Sequence, residues 1–198
     1  SVQGDIMKGL ENAIRNLDIL DTRMVPQASA WAINRVAQKA ISQATRQVAR
    51  DTVAGDNQVK GIPLKLVRER VRVLKASPDG KMYARIRVNR GNLPAIKLGA
   101  AQLRMTRRGG RLHYRGSVLK VGKYLFRNAF VQQLANGRWH VMRRIDGKNR
   151  YPIDVVKIPL SGPLTQAFED ARKSVIDNEM PKQLGYALKQ QLRSYLNL

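Results

Sequence analysis

The sequence predicts an α+β protein: N-terminal helices that include one long helix, a central and mainly antiparallel sheet with a basic extended loop, and C-terminal helices. Two observations carry that expectation. Apolar residues recur at a helical period up to about residue 74, at a strand period through the middle of the chain, and at a helical period again after residue 161. Turn-forming clusters mark the changes, Ser77-Pro78-Asp79-Gly80 before the strands and Ser161-Gly162-Pro163 after them.

Leu10, Ala13, Ile14 and Leu17 predict a short amphipathic helix over residues 6–19. A longer helix is expected from about Val25 to Asp51, with Pro26 in the first turn, where its missing N–H is harmless. Ile33, Val36, Ala37, Ala40, Ile41, Ala44 and Val48 form one apolar stripe on it. This stripe is a candidate helix-packing surface, because alanine permits close approach of a second helix. Arg35, Lys39, Arg46 and Arg50 form a roughly opposite stripe, read as a solvent face. Ala54-Gly55-Asp56-Asn57 breaks the pattern. A short basic helix is expected over residues 63–74, with Leu64, Val67, Val71 and Leu74 on one side.

The period then changes. Met82, Ala84, Ile86 and Val88 alternate with Tyr83, Arg85, Arg87 and Asn89, as in a half-buried strand with one basic face. Arg85, Arg87 and the following Arg90 are the candidate contact residues of that face. Shorter strands are expected over 95–98, 117–121, 130–134, 139–145 and 155–158, with Asn136-Gly137 as a hairpin turn. Residues 106–116 hold three glycines and four arginines and read as an exposed loop or arm, ordered against a partner. Near the end, Leu164, Ala167, Phe168, Ala171 and Val175 make one helical face. Pro181 is expected to break the helix, and Leu184, Ala187, Leu188, Leu192 and Tyr195 make the next face. With no internal repeat, residues 1–198 are expected to form a single domain: a helical part over 5–75, a basic β part over 80–160 with the loop 104–123, and C-terminal helices over 163–196.

Net charge is the outlier. The 198 residues carry +23, yet 43% are apolar, enough to bury a core. Self-repulsion of this size answers to an acidic partner. Residues 80–145 contain no Asp or Glu and 16 Lys or Arg, so the charge forms a focused footprint. Within it, Arg104, Arg107, Arg108, Arg111, Arg115, Lys120 and Lys123 are the candidate DNA- or partner-contacting residues. Tyr114 and Tyr124 are candidates for stacking on bases.

Other chemistry finds little purchase. There is no cysteine, so disulfides, thiol catalysis and thiolate metal sites are excluded. His113 and His140 lie apart, without a nucleophile motif, and no His/Asp/Glu spacing suits a metal. Asp146 and Asp154 flank the Tyr151-Pro152 turn and are read as fixing loop geometry. The glycines build neither a Walker loop nor a dinucleotide loop. A nuclease needs clustered acids to hold a metal, and the basic window has none. The chain is therefore read as non-enzymatic, with no cofactor. No apolar run approaches the roughly 18 residues that span a bilayer. The segment Ser1-Val2-Gln3-Gly4-Asp5 does not look like a signal peptide, so a cytoplasmic origin is expected.

Several stretches resemble a known family: VPQASAWAINRVA at 25–37, RIRVNRGNLP at 85–94, NGRWHVMRR at 136–144 continuing through GKNRYPIDVVKIP at 147–159, and PKQLGYAL at 181–188. Together they are similar to the minor tail protein Z family of lambda-like long-tailed bacteriophages and prophages. The similarity runs from the first helix nearly to the end and is least marked over 104–123. The resemblance implies a structural virion protein that acts in tail completion and head–tail connection, where the tail meets the head-proximal neck and the genome passes. It also implies host cytoplasm during assembly. The implied partners are the tail tube, tail terminator and head–tail connector, packaged double-stranded DNA, and copies of the chain itself in a ring, sixfold to match the tail. From the residues alone, an autonomous nonspecific nucleic-acid-binding protein stands as the alternative.

Overall fold

A computed structural model describes residues 23–144 and 153–196. The helix expected over 6–19 lies outside the described residues. All strand pairs among the described residues are antiparallel, and with the helices they make a mixed α+β fold. Among the described residues the strands fall into five small sheets, of two or three strands each. The chain divides into two compact units.

The first unit takes residues 1–43, 71–88 and 168–198. Its backbone is the first part of helix α1 (Val25–Asp51). Ala28 and Ala32, four residues apart and fully buried, face Ala187, Met180, Leu184 and Leu188 of the C-terminal helix. Three alanines at the contact leave no room for larger side chains. Asn34 holds the segment after the next strand by a reciprocal pair: its Nδ2 donates to Ala76 O at 2.9 Å, and Ala76 N donates to its Oδ1 at 2.7 Å. Lys39 Nζ lies 3.0 Å from Glu179 Oε2, and Gln43 Nε2 donates to Ser174 Oγ at 2.7 Å. Strands β3 (Val71–Leu74) and β4 (Arg85–Val88) form a two-stranded ribbon. The basic helix expected over 63–74 is thus corrected. Only Leu64–Arg68 is helical (α2), and the Val-Arg-Val-Leu that follows is a strand. β-Branched residues at alternate positions fit a pleated surface better than a helix.

Helix α3 (Ser161–Ala171), a π turn (Arg172–Ile176) and helix α4 (Asp177–Leu196) follow one another without interruption. Pro181, expected to break the helix, sits inside α4, five residues past the π turn. Lacking an N–H, it forgoes one i→i−4 hydrogen bond, and the helix runs on through it.

The second unit takes residues 44–70 and 89–167. Helix α1 ends where Thr52 Oγ1 donates to Val48 O at 2.6 Å. Strands β1 (Val53–Ala54) and β2 (Val59–Lys60) pair across a turn. Strand β5 (Leu93–Pro94) pairs with β12 (Lys157–Ile158), and Ala95–Leu98, expected as a strand, is a 3₁₀ turn. Strands β6 (Ala101–Arg108), β7 (Arg111–Val121) and β8 (Tyr124–Arg127) form a meander. Strand β10 (Trp139–Arg144) lies between β9 (Ala129–Gln133) and β11 (Ile153–Val155). Asn136-Gly137 forms the expected hairpin turn between β9 and β10, with Gly137 at φ +81°. Leu93, Leu119, Val121, Tyr124, Phe126, Val141, Leu160 and Leu164 are buried and supply this unit's core.

The alanine contact of the first unit is expected to tolerate no added volume. Ala32→Leu is predicted to lower stability by about 1–3 kcal/mol, read as a lower denaturation midpoint at unchanged slope. The Lys39–Glu179 pair predicts a pH effect. The hydrogen bond from Lys39, then that from Gln183, holds the Glu179 carboxyl below its ordinary value of 4.5. A depressed carboxylate adds stability above that value and loses it as pH falls through the lower, folded value. The difference in thermal midpoint between Lys39→Met and the unaltered chain is therefore predicted to be largest near neutral pH and to shrink below pH 4.5.

Candidate functional site

The charged unit is the second one. By sequence it holds 22 Lys and Arg against 5 Asp and Glu, whereas the first holds 15 against 9. A long cationic feature of this unit is the meander's first hairpin. The segment 104–123, expected as an extended loop, is a regular ladder whose register runs from Ala101↔Val121 to Arg108↔Arg111. A two-residue turn closes it, Gly109 at φ +57° and Gly110 at φ +75°, the backbone that a twisted hairpin requires and that glycine adopts without strain. A register shift between Arg104 and Thr106 adds local twist. Glycine and arginine suggested a loop because neither alternates in polarity. The pairing comes instead from the ladder and from the apolar residues at its base, Leu119 and Val121.

Arg104, Arg107, Arg111 and Lys123 are exposed and Lys120 is half-buried. Among the described residues no carboxylate lies in ion-pair reach of any of them. Arg108 and Arg111 are register partners beside the turn, and like charges directly opposed are unfavourable without a counter-charge. Arg108 and Arg115 fall on the same strands, and their side chains lie outside the described structure. Tyr124, a candidate for base stacking, is buried. Its hydroxyl donates to Gly61 O at 2.5 Å, and burial pushes its phenol pKa up, so the ring belongs to the core and offers no stacking face.

The hairpin's base rests on a device that the sequence did not reveal. Strand β8 pairs with β7 on one edge, and the turn at 55–57 serves the other edge. Asp56 N donates to Leu125 O at 2.7 Å, and Asp56 Oδ2 accepts from Arg127 N at 2.7 Å. Asn57 Oδ1 accepts from Leu125 N at 3.0 Å, and Asn57 Nδ2 donates to Lys123 O at 3.1 Å. Two side chains thus replace a missing strand. Asp56 also pairs with Arg143 Nη2 of β10, at 3.0 and 3.2 Å. Gly55 makes the approach possible: it sits at φ +81°, and a Cβ there would meet Leu125 N and Tyr124 Cβ at 3.2 Å.

A second unforeseen residue is Arg70. Its guanidinium donates to Asn89 O at 3.2 Å, to Gly91 O, and to Asn92 O at 3.0 Å, so one planar fork gathers three carbonyls of the 89–92 turn. Burial pulls its pKa down. A shallow cleft beside it is lined by Leu66, Glu69, Asn89, Leu93 and Lys97.

The remaining candidates are scattered. Arg85 and Arg87 are exposed on β4 in the first unit, with Arg87 directly opposite Arg72. Arg90 belongs to the second unit, where its Nη1 donates to Thr165 Oγ1 at 3.2 Å. Arg85 and Arg87 thus lie on β4, and Arg90 follows its end. Val36, Ala37, Ala40, Ala44 and Val48 of the α1 stripe are buried, and Ile33 and Ile41 half-buried. Asp154 Oδ1 accepts from Val155 N at 2.8 Å, a local bond; Asp146 lies outside the described residues, and His113 lies on β7 opposite Thr106, its side chain outside the described structure. His140 is half-buried in β10, and its Nδ1 has no partner among the described residues. No group of three or more His, Asp or Glu among the described residues stands together as a cation site, and no described helix is long and apolar enough to cross a membrane.

Removing the carboxylate at the edge of β8 tests how that edge is held. Asp56→Ala is predicted to cost about 1–2 kcal/mol of unfolding free energy, mainly from the orphaned N–H of Arg127, since the ion pair is partly screened. Asp56→Asn keeps an acceptor and is predicted to cost less. Denaturant titration of the two variants separates the contributions.

Residues 7–198 match the family described as prophage minor tail protein Z. The chain is 50% identical over 194 residues to tail completion protein Z of Escherichia phage lambda, covering 94% of this chain and 96% of the relative. It is 49% identical over 190 residues to the tail completion protein of Escherichia phage N15, covering 96% of this chain and 98% of that one. No solved structure matches. A family match across almost the whole sequence, together with relatives at half identity over nearly their full length, places this chain in the prophage minor tail protein Z family.

Proposed function

We propose that this chain is a structural virion protein that completes the phage tail at its head-proximal end, where tail and neck are joined. The observation that carries this reading is the near full-length identity to two proteins named for tail completion. Its partners are then the tail tube, the tail terminator and the head–tail connector, and its copies form a ring, sixfold like the tail it closes. The role asks for binding surfaces rather than for a reaction centre.

The finer part of the proposal concerns the hairpin. A ribbon with exposed Arg104, Arg107 and Arg111 and two glycines at the tip is narrow and cationic, and open space surrounds the tip glycines. Phosphates are its simplest counter-charge, contacted without reading sequence. At the tail–neck junction the anionic surface is the packaged duplex, which the hairpin would help to position or pass.

Substitution of Arg107, Arg108 and Arg111 by Gln checks both parts. Assembled particles, counted by microscopy, are predicted to stay near their normal number, while infectious particles fall by at least about tenfold. A parallel loss of assembled particles would instead make the hairpin a protein contact. Tight, salt-dependent binding of the purified chain to naked duplex, with no retention on tails lacking it, would favour an autonomous nucleic-acid-binding protein.

A further inference from the structure

The C-terminal helix carries a face that the fold leaves uncovered. On α4, Met180, Leu184, Ala187 and Leu188 turn towards α1. Lys182, Tyr186, Lys189 and Arg193 fall at i, i+4, i+7 and i+11. At 100° per residue they occupy about 60° of arc, and they run about 16 Å along the axis. All four are exposed, and Tyr186, at 63%, is the most exposed large apolar side chain among the described residues. Residues 180–198 contain no Asp or Glu. Lys182 helps slightly to hold Glu179 in its charged form, whereas Lys189 and Arg193 have no carboxylate in ion-pair reach among the described residues. Beside the stripe sits Gly185, where an added Cβ would meet nothing within 4 Å. Glycine is the least favourable helix residue after proline, and none of the described residues uses the space it leaves.

We infer that this face is a docking surface for a different protein, one presenting an apolar pocket rimmed by carboxylates. The central tyrosine supplies a rigid, amphipathic anchor, the cations around it supply the charged rim, and Gly185 lets the partner's backbone come close. The occupant follows from complementarity. A duplex satisfies the three cations but offers no apolar surface to a ring at their centre, and its bases are already stacked. A second copy of this chain is the poorer match, because it carries 37 Lys and Arg against 14 Asp and Glu and so meets a cationic face mostly with like charge. The surface lies in the unit that does not carry the hairpin, so anion contact and partner docking fall to different parts of the molecule.

The test rests on the tail-completion reading and uses the full-length chain with tails of its own phage assembled without it. Retention on tails is measured by co-sedimentation for the unaltered chain, Tyr186→Ala, Gly185→Ala and Lys189→Glu/Arg193→Glu. Thermal midpoint, self-association and affinity for a duplex oligonucleotide are measured alongside. Tyr186→Ala and the double reversal are expected to bind tails at least about tenfold more weakly, with midpoint, self-association and duplex affinity unchanged. Gly185→Ala is expected to raise the midpoint and still weaken retention, a combination that a purely structural glycine does not give. Undiminished retention of the variants overturns the docking face. So does a loss confined to self-association, which assigns the face to a second copy, or a loss confined to duplex affinity, which assigns it to nucleic acid. Failure of the unaltered chain to bind tails overturns the tail-completion reading along with it.

Discussion

Electrostatic self-repulsion in the second unit is the condition that the rest of the structure has to meet. Twenty-two cations share that unit with five carboxylates, and residues 80–145 have none of the five. Charge of one sign cannot be folded inward without a partner, so every described hairpin cation except Lys120 stands exposed, and stability has to come from elsewhere. It comes from apolar residues under the strands, Leu119, Val121, Tyr124 and Phe126, and from backbone pairing that is indifferent to side-chain charge. Antiparallel strands suit such a sequence. They let alternate residues anchor a core while the others carry charge outward.

The few carboxylates available are used where they do most. Asp56 neutralises Arg143 and closes the free edge of β8, so one short turn performs electrostatic and topological work together. An edge strand left open is a template for unwanted pairing, and here it is covered by Asp56 and Asn57 in place of a strand. Arg70 shows the reverse economy: a cation with no carboxylate in ion-pair reach among the described residues is held by three backbone carbonyls. In the first unit the ion pairs among the described residues are Lys39–Glu179 and Arg172–Glu169. Packing of small residues between α1 and α4 does the remainder.

Much of the architecture is legible residue by residue, because a period of 3.6 or 2 leaves its mark on which positions are apolar. Helix α1 has the bounds its stripe and Pro26 suggest, and the Asn136-Gly137 turn is where turn chemistry puts it. Misreadings fall where local patterns compete. Val71–Leu74 has helical spacing of apolar residues as well as strand alternation, and pairing with Arg85–Val88 decides between them. Residues 104–116 lack alternation, and the ladder to Arg111–Val121 orders them all the same. Tyr124 looked available to a base because aromatics near cations often are, yet Gly61 holds its hydroxyl and the core takes its ring.

The sequence by itself, through charge placement and apolar period, determined the class of this protein: a strongly cationic α+β chain, with its charge set in an acid-free window between helical ends. Charge and apolar period are properties of single residues and their near neighbours, so they survive in a linear string. Only the tertiary structure decided that residues 101–121 pair as a hairpin and that Asp56 and Asn57 complete its supporting strand. Each of these depends on contacts between residues tens of positions apart. The uncovered face of α4 belongs with them, because a helix has three sides, and which of them is buried is settled by whatever packs against it.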